Sequence, residues 1–221
     1  TQNSAVRHHA IQALVGRAGS GHDHLAVALG QRAFFLEHQR VVVRKKCPPL
    51  SRPARQRLAD KTAKQFGNVH LLCNNAGVAV VGPTELATFA DWDWVMGVNL
   101  GGVINGVTTV LPRILSHGEG GHIVCTASMS ALVPVGGTAI YSAGKAYVTS
   151  MMECMRPELE TRGVICSAFC PGAVQSNIAE AGKTRPVELA DTGYAEADKR
   201  RQNGGNLMHL YQTKDEVGQR V

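Results

Sequence analysis

Three short apolar runs, each closed by small or turn-forming residues, dominate the chain from about position 62 onward. Val69–Cys73 runs into NNAG, GHIVCTAS occupies 121–128, and GVICSAFC at 163–170 is stopped by Pro171-Gly172. Runs this short, bounded by glycine and proline, read as buried strands. Between the first two, residues 91–116 read as one helix: Asp91 is a candidate cap, and Trp94, Val95, Val98, Val103, Val107, Val110 and Leu111 supply apolar faces. A second helix is predicted over about 140–161. Buried strands alternating with helices predict an α/β doubly wound parallel sheet, whose ligands bind beyond the C-terminal strand ends. Those ends are NNAG, TAS and CPG.

Residues 1–60 follow neither period for long, and they hold ten Lys/Arg against three Asp/Glu, whereas the remainder holds thirteen against fourteen. The whole net charge of +6 therefore sits in the first quarter. No nucleic-acid-binding motif accompanies it, so no specific nucleic-acid partner is expected. The 221 residues are 44% hydrophobic, enough for one domain with a substantial core and too apolar for disorder throughout. No uncharged apolar stretch is read as long enough to cross a bilayer, and no secretory pattern opens the chain, so a cytoplasmic protein is expected. Six cysteines without a CxxC pair read as free thiols. His8-His9 and His22-x-His24 lack a third ligand at helix or strand spacing, and no metal is expected. GRAGSG at 16–21 is either a phosphate-cradling loop or an ordinary flexible segment.

The informative constellation lies further on. Tyr141 and Lys145 in YSAGK stand at i and i+4, on one helix face, and Ser128 precedes Tyr141 by 13 residues. NNAG at 74–77, VNL containing Asn99, TAS ending at Ser128, YSAGK and CPGAVQSN follow in one order. In order and separation these motifs resemble the short-chain dehydrogenase/reductases, Rossmann-type oxidoreductases using NAD(H) or NADP(H), over roughly positions 60–220. FADWDWVMGVNLGGVINGV and SNIAEAGKTRP look most like the branch that includes lignin-derived Cα-alcohol dehydrogenases.

The resemblance implies a catalytic tetrad of Asn99, Ser128, Tyr141 and Lys145, acting on a secondary alcohol or ketone. It implies cofactor contacts from Asn74, Asn75, Ala76 and Gly77 on the adenosine side, and from Pro171, Gly172, Val174 and Ser176 near the nicotinamide. Tyr141 and Lys145 would touch the cofactor too, Lys145 through the ribose, and Asn99 would hold a water linking Lys145 to solvent. The residue types suit the chemistry. An alkoxide formed by hydride transfer must be protonated, and a free tyrosine near pKa 10 is a poor acid–base at neutral pH. An ammonium about 4 Å away, at an effective dielectric near 20, contributes roughly 4 kcal/mol, enough to lower the tyrosine by up to about 3 units. Ser128 would stabilise the substrate oxygen, with Thr126 and Ser130 as rival hydroxyls.

The first quarter departs from that family. GRAGSG is one residue short of the expected TGxxxGxG, Val41–Val43 followed by Arg44, Lys45 and Lys46 mimics the NADP-selecting end of a second strand but leaves too few residues before NNAG, and Pro48-Pro49 cannot donate to a sheet ladder. The chain also stops inside an apparent helix start at Lys214–Val221. The expectation is one Rossmann-type domain, with 1–55 an atypical or damaged cofactor-binding part, 56–221 the catalytic part, and the C-terminal end truncated. The strand at 69–73 is then expected to lack partners from residues 1–55. Two functions follow: a working NAD or NADP oxidoreductase, or a catalytically silent fragment or binding protein with an impaired dinucleotide site. Small residues on the two helices, Gly101, Gly102, Ala146 and Ser150, together with the family's habit, imply a homodimer or homotetramer.

Overall fold

The computed structural model describes residues 26–27, 34–37, 40–43, 52–194, 211–213 and 216. GRAGSG, Pro48-Pro49, the paired histidines near the N-terminus and most of 214–221 lie outside the described residues.

Strands β1 (Ala26–Val27), β4 (Leu71–Asn74), β5 (Gly121–Thr126) and β6 (Val164–Phe169) form one parallel sheet in the order β1-β4-β5-β6. Strands β2 (Phe34–Glu37) and β3 (Arg40–Val43) pair antiparallel as a separate two-stranded sheet. Val41–Val43 is thus half of a hairpin and not the parallel second strand its sequence imitates. The outer edge of β4 does find a partner, correcting the expectation of none: Ala26 lies opposite Leu71 and Val27 opposite Leu72. That pairing covers two residues, against four between β4 and β5 and six between β5 and β6.

Helices α1 (Arg52–Phe66), α3 (Gly101–His117) and α4 (Ala139–Glu160) cover one face of the sheet. Alternation along the strands decides which residues meet them. Leu72, Ile123, Cys125, Val164 and Cys166 point into a core completed by Leu58, Val103, Val110, Ile114, Val148 and Met152. Leu71, Cys73 and Val124 are buried on the other face with Phe169 beside them. Among the described residues Cys125 and Cys166 are buried free thiols, Cys154 and Cys170 are free as well, and Cys73 is buried.

The helix expected over 91–116 is two: α2 (Phe89–Asn99) and α3, parted at Leu100. Leu100 keeps helical dihedrals (φ −104°, ψ −55°), and its N–H still reaches the Met96 carbonyl at 3.0 Å, so the chain barely deviates. The break falls where Asn99 is turned aside and Gly101-Gly102, poor helix formers, follow. The cap is Thr88 and not Asp91. Asp91 is the third helical residue, and its carboxylate returns to the Thr88 N–H at 3.0 Å to close a capping box. Together α2 and α3 form a 29-residue span whose most apolar 18-residue stretch has a mean hydropathy of 1.3, long and apolar enough by length and composition to cross a membrane, which corrects the sequence reading. In the fold its apolar residues Trp94, Val95, Val103, Val110 and Ile114 are buried.

Candidate active site

The C-terminal end of β5 and the first turns of α4 bring three of the four candidate catalytic side chains together. Tyr141 and Lys145 occupy successive turns of α4, with the Lys145 ammonium 5.8 Å from the Tyr141 ring centre. Lys145 is only 3% exposed, and its Nζ donates to the Thr126 carbonyl at 2.6 Å. Ser128 ends the strand extension, where its side chain hydrogen-bonds Tyr141 and its Oγ accepts from the Ser130 N–H at 3.1 Å. One of the rivals is otherwise engaged. Thr126 donates its hydroxyl to Asn75 Oδ1 at 2.8 Å, and Ser130 supports Ser128 through its backbone.

Asn99 completes the group from the end of α2. Its Oδ1 accepts from the Val78 N–H at 2.8 Å and its Nδ2 donates to the Val78 carbonyl at 2.9 Å, so a buried amide fixes the backbone that follows NNAG. Gly77 passes so close that a methyl there would sit 3.3 Å from Lys145 Nζ and 3.6 Å from Asn99 Oδ1. A side chain at 77 would fill the space beside the ammonium, which explains glycine there. Helix α4 approaches equally closely: a methyl at Gly144 would lie 3.3 Å from Met96 Sδ.

Burial sets the electrostatics. It pulls Lys145 down to about 8, while the Cys125 and Cys170 thiols act in the other direction. Burial also raises Tyr141, and the hydrogen bond from Ser128 only partly offsets this. The depression of Tyr141 expected from a neighbouring ammonium is therefore absent in the chain alone. The Lys145 proton is directed at the Thr126 carbonyl, and the phenol sits where desolvation disfavours its anion. Below its pKa Lys145 remains the cation of the site. Cys125, beneath it in the core, is pushed up to about 12 by burial and stays a neutral thiol.

Of the residues matched to cofactor contacts, Asn74 faces the core. Its Nδ2 donates to Cys125 Sγ at 3.3 Å, and a methyl on Gly106 of α3 would overlap its Oδ1, so it seats α3 against β4. Asn75 ties the end of β4 to Thr126, while Asn75, Ala76 and Gly77 are half-buried at the strand end. Beyond β6, Pro171 accepts from the Met129 N–H at 2.9 Å, joining this segment to the Ser128 loop, and exposed Gly172 faces Met129 Sδ. Val174 bridges to Gln212, and Ser176 caps the short 3₁₀ helix Asn177–Thr184 by accepting from the Ile178 N–H at 3.4 Å.

Sequence reasoning missed the anchor of the segment after Ser176. Arg185 Nη1 lies 2.7 Å from the buried Asp91 carboxylate, its Nε donates to the Leu189 carbonyl, and its Nη2 donates to the Asp191 carbonyl at 3.0 Å. The Thr192 hydroxyl and the Gly193 N–H also donate to Asp91, at 2.7 and 3.3 Å, and the guanidinium stacks 4.9 Å above Trp94. Burial alone would raise the Asp91 pKa, but hydrogen bonds from Thr192, Thr88 and Arg185 and the Arg185 charge hold it below the usual value. Ala181 and Tyr194 of this segment enter a second core with Val78, Val98 and Ile140, the neighbours of Gly77, Asn99 and Tyr141. The only sequence signal was an aspartate and an arginine 94 positions apart, which carries no periodicity.

Comparison with known proteins agrees with this geometry. The family model described as short chain dehydrogenase matches residues 37–186, and the chain belongs to that family. The C alpha-dehydrogenase of Sphingobium sp. (strain NBRC 103272 / SYK-6) is 41% identical over 151 residues, which are 68% of this chain and 50% of that protein. A short chain dehydrogenase/reductase from Burkholderia phymatum, crystallised with NAD, superposes with a TM-score of 0.67 at 35% identity, over 76% of this chain and 62% of that one. The apo form of LigO from Sphingobium sp. strain SYK-6 follows at TM-score 0.55 and 38% identity, over 75% of this chain and 55% of that one. The likeness includes the Cα-alcohol dehydrogenase branch read from the sequence. The chain spans about half the length of the curated relative.

Proposed function

We propose that this chain carries the catalytic half of an NAD(P)-dependent oxidoreductase that interconverts a secondary alcohol and a ketone. The observation that carries this reading is the meeting of Ser128, Tyr141 and a buried Lys145 at the C-terminal end of β5, with Gly77 leaving space beside the ammonium. Asn75–Gly77 would line one side of a dinucleotide, Pro171–Ser176 the other, and Lys145 would hydrogen-bond the ribose. The nicotinamide, when bound, supplies or accepts the hydride. Tyr141 gives its hydroxyl proton to the substrate oxygen in reduction and takes it back in oxidation, so the proton balances the hydride. Ser128 donates to that oxygen as charge develops there, and Lys145 offsets the charge left on Tyr141. The exposed apolar side chains of Met129, Leu132, Val133 and Val135 follow Ser128 and suit an apolar substrate body.

A second reading, a silent relative that binds cofactor poorly, draws support from the two-residue pairing of β1 and from a family match that begins only at residue 37. Trp92 and Trp94 lie on α2, so quenching of their fluorescence by NADH or NADPH separates the two. Quenching at micromolar cofactor is expected, and its absence up to millimolar favours the silent relative. Tyr141→Phe should keep the quenching and lower turnover at least about 100-fold, the scale of lost acid–base catalysis. Turnover preserved in that variant would remove Tyr141 from the mechanism.

A further inference from the structure

At the end of β4 away from this site, three side chains from two separate stretches of the sequence converge. His70 opens the approach to β4, His117 ends α3, and Glu119 sits in the turn into β5. That turn is built by Gly118 and Gly120, both left-handed (φ 70° and 78°), which swing the glutamate back across the strand. The His70 and His117 ring centres are 4.5 Å apart.

The nitrogen bookkeeping of the two rings is unusual. His70 Nδ1 lies 3.1 Å from the Asn68 carbonyl, and His117 Nε2 lies 3.0 Å from the Val69 carbonyl. A carbonyl only accepts, so in each contact the ring nitrogen donates, and in a neutral His117 ring the other nitrogen presents a lone pair. For His117 this is visible directly, because Nδ1 accepts from the Glu119 N–H at 3.1 Å. His70 Nε2 lies 2.7 Å from Glu119 Oε2, a separation that holds a shared hydrogen in the chain without metal, and a bound ion would displace that hydrogen to solvent, while Asn68 Nδ2 holds the other carboxylate oxygen at 2.7 Å. Ring hydrogens fixed on backbone carbonyls and a carboxylate steadied by an amide are the outer-shell contacts that metal-binding histidines and glutamates carry.

We propose that His70, His117 and Glu119 form a site for a divalent transition metal of the zinc type. The donor set is two imidazole nitrogens and one carboxylate oxygen, which suits zinc, nickel or copper rather than magnesium or calcium. The candidate donor atoms all lie within 4.8 Å of one another, and donors at about 2.0–2.2 Å around a tetrahedral ion stand about 3.3–3.5 Å apart. Modest side-chain rotation closes that difference, with His117 exchanging its bond from the Glu119 N–H for the metal. Glu119 is half exposed, leaving an entry path and a fourth position for water. The ion would join the start of β4, the end of α3 and the turn into β5, so its role is structural. The sequence expectation of no metal considered only the N-terminal histidines. Positions 70, 117 and 119 belong to no common spacing.

The test titrates Zn²⁺ into the metal-free 221-residue chain against a chromophoric chelator, and follows the thermal midpoint alongside. One Zn²⁺ at micromolar affinity is expected, with a rise in midpoint. Glu119→Gln and His70→Gln should each weaken binding at least tenfold and abolish the rise. A variant with His8, His9, His22 and His24 all changed to Gln should keep both. The proposal is overturned by no uptake at micromolar Zn²⁺, by unchanged affinity in the Glu119→Gln and His70→Gln variants, or by loss of uptake in the N-terminal variant. None of these outcomes depends on turnover or on NADH quenching.

Discussion

Lys145 is the side chain whose surroundings matter most, because one ammonium is 97% buried with a backbone carbonyl as its hydrogen-bond acceptor. Its folded pKa of about 8 lies below the ordinary 10.5, so the unfolded chain binds more protons between those values. Below pH 8 both states are protonated and the cost of burying the charge is fully present. As pH rises from about 8 to 10.5 that cost fades and the folded state gains, by up to about 3 kcal/mol. Urea unfolding of wild type and Lys145→Met across pH 7–10 should therefore show the wild type gaining on the variant as pH rises. A constant difference would mean that Lys145 titrates normally in the fold. Tyr141, Lys145 and Ser128 were legible because a helix repeats every 3.6 residues and the motifs flank strand ends. The rise of Tyr141 was not legible, since its cause is burial, and burial belongs to the tertiary structure.

At the level of elements, the segment 185–194 is fastened to the first turn of α2 by a buried ion pair. Removing one partner of such a pair leaves a buried charge uncompensated, at about 3–5 kcal/mol. Asp91→Asn should lose stability on that scale and open the segment to trypsin after exposed Lys183, before the rest of the domain is cut. Thr192→Val, which removes one hydrogen bond, should cost about 1 kcal/mol. Equal cleavage rates in wild type and Asp91→Asn would show that the segment is held by its apolar contacts alone. Strand and helix identities were readable from periodicity, but the Thr88 cap and the break at Leu100 were not. Asn99, at that break, bonds to Val78, 21 residues earlier, a contact that no local pattern records.

For the whole molecule, the outer faces of the helices bear on assembly. Gly102, read as outward-facing, is buried, whereas Ala146 and Ser150 are exposed beside Tyr147 on α4, and Ile104 is exposed on α3. An apolar strip of this kind is consistent with a homodimer or homotetramer built through these helices. Light scattering at micromolar concentration should give a multiple of 23.6 kDa, and Ile104→Lys combined with Tyr147→Glu should reduce it to one. A monomeric wild type would end that reading. Fold class and the order of the motifs were written in the sequence because β4 and β5 carry buried apolar runs and the crossovers that join β4, β5 and β6 are long. The antiparallel pairing of β2 with β3 and the brief pairing of β1 were not, since a four-residue apolar run does not say which edge it joins.

The thinning of the ladder from six residues to four to two has a kinetic meaning. A strand held by two rungs detaches by a local fluctuation, while one held by six separates only when the domain comes apart. Amide deuteration should follow that gradient, slowest within β5 and β6 and fastest within β1, with Ala26 and Val27 exchanging at rates set by opening events and not by global unfolding. The consequence reaches the edge of the sheet that β1 forms. If β1 comes and goes while β4, β5 and β6 persist, the half holding Ser128, Tyr141 and Lys145 is permanent and the β1 edge of the sheet is transient. A dinucleotide that bridges the two would then slow deuteration of β1 far more than that of β6.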